Sequence, residues 1–145
     1  MAERIQPAEE LVLRLRAVAT ALPEAYEEDA WTGVRWAVRK KTFAHVMVAQ
    51  RGFESAYRDI TGDESEQTVL TFRATGDELL ALVNAGLPFY RPPWSPTVVG
   101  MVLDADTDWA EVAELVTESY RFRAPQKLVR ALDERGIPGQ RRGDP

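Results

Sequence analysis

Leu11, Leu15, Val18 and Leu22 recur at helical spacing, with Arg14, Arg16, Glu9 and Glu10 largely off that stripe, so residues 8–21 are predicted to form an amphipathic helix. Pro7 suits its first turn and Pro23 stops it. The acidic stretch EAYEEDA then reads as a connection. Val34, Trp36 and Val38 alternate with Gly33, Arg35 and Ala37, the period-two pattern of a strand with one buried face. Phe43 to Gln50 is rich in strand-favouring residues and begins again after Arg39-Lys40-Lys41-Thr42, which implies an antiparallel hairpin with a basic tip. The tip has neither Gly nor Asn, so its turn type stays open.

Residues 51–67 are polar apart from Phe53, Tyr57 and Ile60 and read as a long excursion, and Thr68–Arg73 as a third strand. Thr75-Gly-Asp-Glu78 has capping-box spacing before a short helix, about 76–85, that stops near Gly86. Leu87–Pro96 carries four prolines in ten residues, which predicts an extended loop holding Phe89, Tyr90 and Trp94. Thr97–Leu103 is apolar enough for a central strand. Asp108 and Glu111 open a helix with Val112, Leu115 and Val116 inward, and Pro125 starts a last helix carrying Leu128, Val129 and Leu132, closed by Gly136.

This order predicts an α+β fold in two layers, a mostly antiparallel sheet with helices packed on one face. At 145 residues and 45% hydrophobic, the chain suits one domain, residues 1–135, with 136–145 as a flexible tail. The absence of cysteine excludes disulfides, thiolate metal cages and a cysteine nucleophile, and fits a cytoplasmic setting. The opening MAERIQPAEE has no apolar run for a signal peptide, and no stretch approaches a membrane span.

The net charge of -5 argues against a general polyanion binder, but the charges are unevenly placed. Trp31–Gly52 holds five basic residues and no acid; Met101–Glu118 holds six acids and no base; Ser119 onward has seven bases against three acids. Either two phosphate-binding segments or an ordinary mixed surface accounts for this. No catalytic constellation is present. His45 has no second histidine or cysteine with which to hold zinc. Asp104, Asp106 and Asp108 alternate like the start of a calcium loop, but Trp109 and Leu115 stand where Gly and Glu are required. Nucleotide-binding glycine motifs and Gly-x-Ser-x-Gly are missing. Neither an enzyme nor a cofactor or metal is expected.

Several segments resemble the MmcQ/YjbR family. Leu22-Pro-Glu-Ala25 resembles its LPE(A/V), Gly33-Val-Arg-Trp-Ala-Val-Arg-Lys-Lys-Thr-Phe-Ala44 its hairpin, and Ser119-Tyr-Arg-Phe-Arg-Ala-Pro-Gln-Lys-Leu128 its C-terminal SY…APKKL. The resemblance implies a fold shaped like secretion-chaperone and CyaY-like domains, and DNA binding in which hairpins act as wings. Arg39, Lys40, Lys41 and Lys127 would then contact phosphates, although Gln126 stands where a lysine is common.

In the leading reading the hairpin tip and a second cluster, Arg121, Arg123 and Lys127, grip duplex DNA without reading its sequence. The alternative is a chaperone-like module whose partner is a protein, docked on a sheet face or on an exposed patch of Phe89, Tyr90 and Trp94. A third reading places a small molecule under the proline-rich loop. Whether the two basic clusters share a face, and the oligomeric state, stay open at this stage.

Overall fold

The computed structural model describes residues 7–30, 32–49, 67–92 and 95–135. Helix α1 (Glu9–Ala19) buries Val12, Leu15 and Ala19, the face set by its apolar spacing. Six strands follow in one sheet: β1 (Tyr26–Asp29), β2 (Val34–Val38), β3 (Lys41–Ala49), β4 (Gln67–Arg73), β5 (Phe89–Tyr90) and β6 (Val98–Leu103). Their spatial order is β1-β2-β3-β4-β6-β5, and every neighbouring pair is antiparallel. Helix α2 (Gly76–Ala85) joins β4 to β5; α3 (Trp109–Arg123) and α4 (Gln126–Arg135) close the described chain.

The four helices among the described residues feed one core with one face of the sheet, as the α+β expectation requires. Leu15, Leu82, Val112, Val116, Tyr120, Leu128 and Leu132 pack with Trp36, Val38, Val46, Leu70, Phe72, Val99 and Met101. Full burial of an apolar side chain of this size stabilises by about 1.5–3 kcal/mol, so this cluster is the main source of stability. On the other face Met47, Val69, Tyr90 and Val102 form a second, smaller buried group.

The hairpin turn is made by Arg39 and Lys40, with φ of 49° and 69°. Left-handed conformation at both central residues is what a type I′ turn demands, and here it is met without glycine. Two contacts hold it: Arg39 grips Glu24, and the Lys40 N–H donates to Tyr26 Oη at 3.1 Å. Beyond the turn the register slips, Trp36 facing Ala44 while Ala37 faces Thr42. Phe43 is therefore an extra, bulged residue in β3.

Three expectations need correction. The acidic stretch expected to be a connection is the edge strand β1. It has no apolar alternation to reveal it; its carboxylates are held instead by Arg16 and Trp36 on Glu27 and by Arg35 on Glu28. Charges on an outer strand also discourage further pairing. The proline-rich segment is not wholly a loop, because Phe89 and Tyr90 pair with Met101 and Gly100 and are both buried. At Thr75 the helix starts as predicted, but the capping-box hydrogen bond from a backbone N–H to the hydroxyl oxygen is not made. Gly76 enters that helix at φ 61°, which turns the first-turn donors away from the box geometry. Asp108 does cap α3, its Oδ1 accepting from the N–H groups of Ala110 and Glu111 at 3.1 and 3.2 Å. The excursion at 51–66 and the tail at 136–145 lie outside the described residues.

Candidate nucleic-acid interface

The register places chemistry at the two ends of the sheet. At one end lie the β2–β3 turn, the last residue of β4 (Arg73) and the first of β6 (Val98), since Arg73 faces Val98 and Ala44 faces Phe72. At the other end Thr68 faces Leu103 and Ala49 faces Gln67. Helix α3 spans the same axis, its N-terminus following β6 and its C-terminal turn bonded to Arg73 and Phe43. The acidic segment 101–118 therefore begins at one pole, and the β2–β3 turn and the C-terminal turn of α3 meet at the other. Part of this segregation is helix physics: Asp108 and Glu111 complement the positive end of α3, and Arg121 and Arg123 its negative end.

Three separated stretches knit together at the basic pole. Ser119 is fully buried; its Oγ donates to the Phe43 carbonyl at 2.6 Å and accepts from the Arg73 N–H at 2.8 Å. It thereby satisfies the carbonyl that the β3 bulge displaces. Tyr120 donates its hydroxyl to the Pro23 carbonyl at 2.8 Å and sets its ring edge-on to Phe43 at 5.5 Å. Burial, and then Glu24, push the Tyr120 phenol above its ordinary range. Arg135 donates twice to the Ala21 carbonyl, at 2.6 and 3.1 Å. The LPEA stretch, the hairpin and the SY stretch are thus one structural joint.

The six expected phosphate contacts divide into two kinds. Arg39 is clasped by Glu24 at 2.8 and 3.2 Å, and Arg121 by Asp133 at 2.6 Å and Glu118 at 3.2 Å. These two are struts whose charge is already balanced. Lys40, Lys41, Arg123 and Lys127 have no carboxylate partner among the described residues. Their clusters share the pole. The Glu24 carboxyl is held below the usual carboxylate range first by its hydrogen bonds to Arg39, and Lys127 adds to the effect. Charge-pattern reading missed Arg73, a lone basic residue ending a strand, whose Nη1 donates to Thr97 Oγ1 at 2.8 Å.

The other candidates fare differently. Phe89 and Tyr90 are buried, so they form no exposed patch, and Trp94 lies outside the described residues. His45 sits in β3 between two strands, and its Nε2 donates to the Thr32 carbonyl at 2.7 Å. Burial holds its imidazole below the ordinary range. At the acidic pole a cavity of about 590 Å³ is lined by Leu87, Pro88, Met101, Val102, Asp104 and Glu111, among others. Asp104 and Asp108 serve backbone there, Asp104 Oδ1 accepting from the Asp106 N–H at 2.8 Å. Among the described residues no group of three or more carboxylates or imidazoles is disposed to hold a metal, and no helix is long and apolar enough to cross a membrane.

Comparison with known proteins adds one match. The family model described as YjbR covers residues 20–122, from just before the LPEA stretch through the first half of the SY stretch. No curated protein and no solved structure matches the chain significantly. With most of its length inside the matched region, the chain belongs to the YjbR family.

Proposed function

We propose that this YjbR-family domain binds duplex DNA through its basic pole, without base readout and without catalysis. The observation that carries the reading is the gathering of Lys40, Lys41, Arg123 and Lys127 at one pole, none of them in a salt bridge among the described residues. Ammonium and guanidinium groups on a turn and a helix end can position a phosphate backbone, but they carry no sequence information. Arg39 and Arg121 act differently from the other cations: they brace the turn and the α3–α4 corner. The acidic pole is repelled by the same duplex and so orients the approach.

Four phosphate contacts imply a log-log salt slope of about -3.6, at roughly -0.9 per contact. The test is fluorescence anisotropy of a labelled random-sequence duplex at low and moderate salt, with wild type and with Lys40→Gln/Lys41→Gln/Lys127→Gln. Salt-sensitive binding that the folded triple variant loses is expected. Absence of wild-type binding at low salt overturns the proposal. The aromatic-patch alternative has lost Phe89 and Tyr90, which are buried, and is not carried further.

A further inference from the structure

Strand alternation gives the sheet a second face, turned away from the helices, and a polar group gathers there. Leu70 and Phe72 belong to the helix-covered core, so Thr71 and Arg73 of β4 point the other way, as do His45 between Ala44 and Val46, and Arg35 beside Trp36. Register sets three of them in one row, Arg35 facing His45 and His45 facing Thr71. Ala37 lies between the core residues Trp36 and Val38, and Thr42 faces it past the bulge, which brings Thr42 to this same side. All five line a cavity of about 210 Å³. Pockets for drug-sized ligands begin at about 300 Å³, so this one suits a molecule of a few heavy atoms.

Two of the lining side chains are incompletely satisfied. Thr71 is only 7% exposed, yet its hydroxyl has no hydrogen-bond partner among the described residues, where buried hydroxyls are ordinarily paired. Arg73 donates from Nη1 to Thr97 Oγ1 at 2.8 Å, which fixes its fork, but it has no carboxylate partner among the described residues. Arg35 differs, because Glu28 already engages it at 2.8 Å. Burial holds the His45 imidazole below its ordinary range and hence neutral at pH 7. The lining thus carries one uncompensated positive charge, that of Arg73.

We propose that this cavity on the outer sheet face binds a short organic monocarboxylate, its carboxylate accepting from the Arg73 guanidinium and from Thr71 Oγ1. A planar carboxylate matches a guanidinium fork through two parallel hydrogen bonds, and its single charge matches the one left over. It also gives the Thr71 hydroxyl the acceptor it lacks. Val98, which lines the same cavity, supplies an apolar wall for a short alkyl chain. The site does not depend on Lys40, Lys41, Arg123 or Lys127.

Titration of the ¹⁵N-labelled full chain with sodium acetate, sodium propionate and inorganic phosphate, in a carboxylate-free buffer, tests this. Saturable shifts of the His45, Thr71 and Arg73 amides with acetate and propionate are expected. Arg73→Gln should weaken binding about tenfold or more and Thr71→Val about fivefold, the worth of a charged and of a neutral hydrogen bond. Arg130→Gln, an exposed control on α4, leaves it unchanged. Circular dichroism separates site loss from unfolding, and should Arg73→Gln fail to fold, the near-isosteric Thr71→Val decides alone. Absence of saturation at high millimolar acetate and propionate, or affinity indifferent to Thr71→Val, overturns the proposal. Tighter binding of phosphate than of either carboxylate overturns the monocarboxylate assignment. Failure here leaves the duplex titration above untouched, because the two experiments remove different residues.

Discussion

Ser119→Ala removes one oxygen and strands two backbone groups. The hydroxyl is fully buried, donates to the Phe43 carbonyl at 2.6 Å and accepts from the Arg73 N–H at 2.8 Å, joining residues 76 and 46 positions apart in sequence. A buried polar group deprived of its partner costs about 1–3 kcal/mol. The Phe43 carbonyl sits in a bulge and has no neighbouring strand donor to fall back on, whereas the Arg73 N–H lies at a strand end where water can reach it. The expected loss is therefore about 2–4 kcal/mol rather than the full sum. Urea unfolding followed by tryptophan fluorescence measures it directly. With an m-value of about 2 kcal/mol per M, the midpoint should fall by about 1–2 M at unchanged m. Thr117→Ala is the control: that hydroxyl donates only to the Ala113 carbonyl of its own helix, and its loss should cost under about 0.5 kcal/mol. A Ser119→Ala midpoint within about 0.25 M of wild type would refute the view that this hydroxyl locks the helix to the sheet.

Other outcomes follow from single contacts. At Gly33, φ is 80° and a Cβ would stand 1.8 Å from the Val46 carbonyl oxygen, so Gly33→Ala should cost about 2–3 kcal/mol; at Gly76, also left-handed but open, Ala should cost about 1 kcal/mol, both read by urea midpoints. Glu27 is held below its ordinary 4.5 chiefly by its hydrogen bonds to Arg16. Its contribution is complete above that pH and is lost as the pH falls through the folded value, so Glu27→Gln should flatten the acid limb of a stability–pH curve; an unchanged limb would count against the pair. His45, the chain's one histidine, is held below its ordinary 6.5 by burial, so the unfolded chain takes up a proton first and stability should decline as pH drops below 6.5. Its ring-proton NMR titration should show a midpoint below 6.5, and a midpoint at or above that value would contradict the buried neutral imidazole.

The elements that could be read from sequence are those whose own periodicity buries them. Leu15, Val116 and Leu132 mark helices by spacing, and Trp36 with Val38 marks β2. The strand β1 was illegible because Tyr-Glu-Glu-Asp presents no apolar alternation; it is held by cross-strand pairing and by ions on a helix and a neighbouring strand. Phe89 and Tyr90 were hidden by the prolines around them, although the Tyr90 ring lying where a Gly100 Cβ would stand explains why that central strand carries a glycine. At the candidate site the charge runs were visible but their bookkeeping was not. Glu24 cancels Arg39 from 15 residues away and Asp133 cancels Arg121 from 12, and only the fold brings them into contact. Arg73 was invisible for the opposite reason: it belongs to no run, and only the fold brings its backbone N–H onto Ser119.

On the proposed reading, the hairpin tip and the start of α4 act on one ligand as one surface. The salt dependence of duplex binding by wild type, Lys40→Gln and Lys127→Gln measures this most directly. Each substitution should make the log-log slope shallower by about 0.9, because each lysine releases its own counterion from the same bound duplex. If Lys40→Gln flattens the slope and Lys127→Gln leaves it unchanged, or the reverse, the two clusters do not face the same backbone and the shared basic pole is not the binding surface.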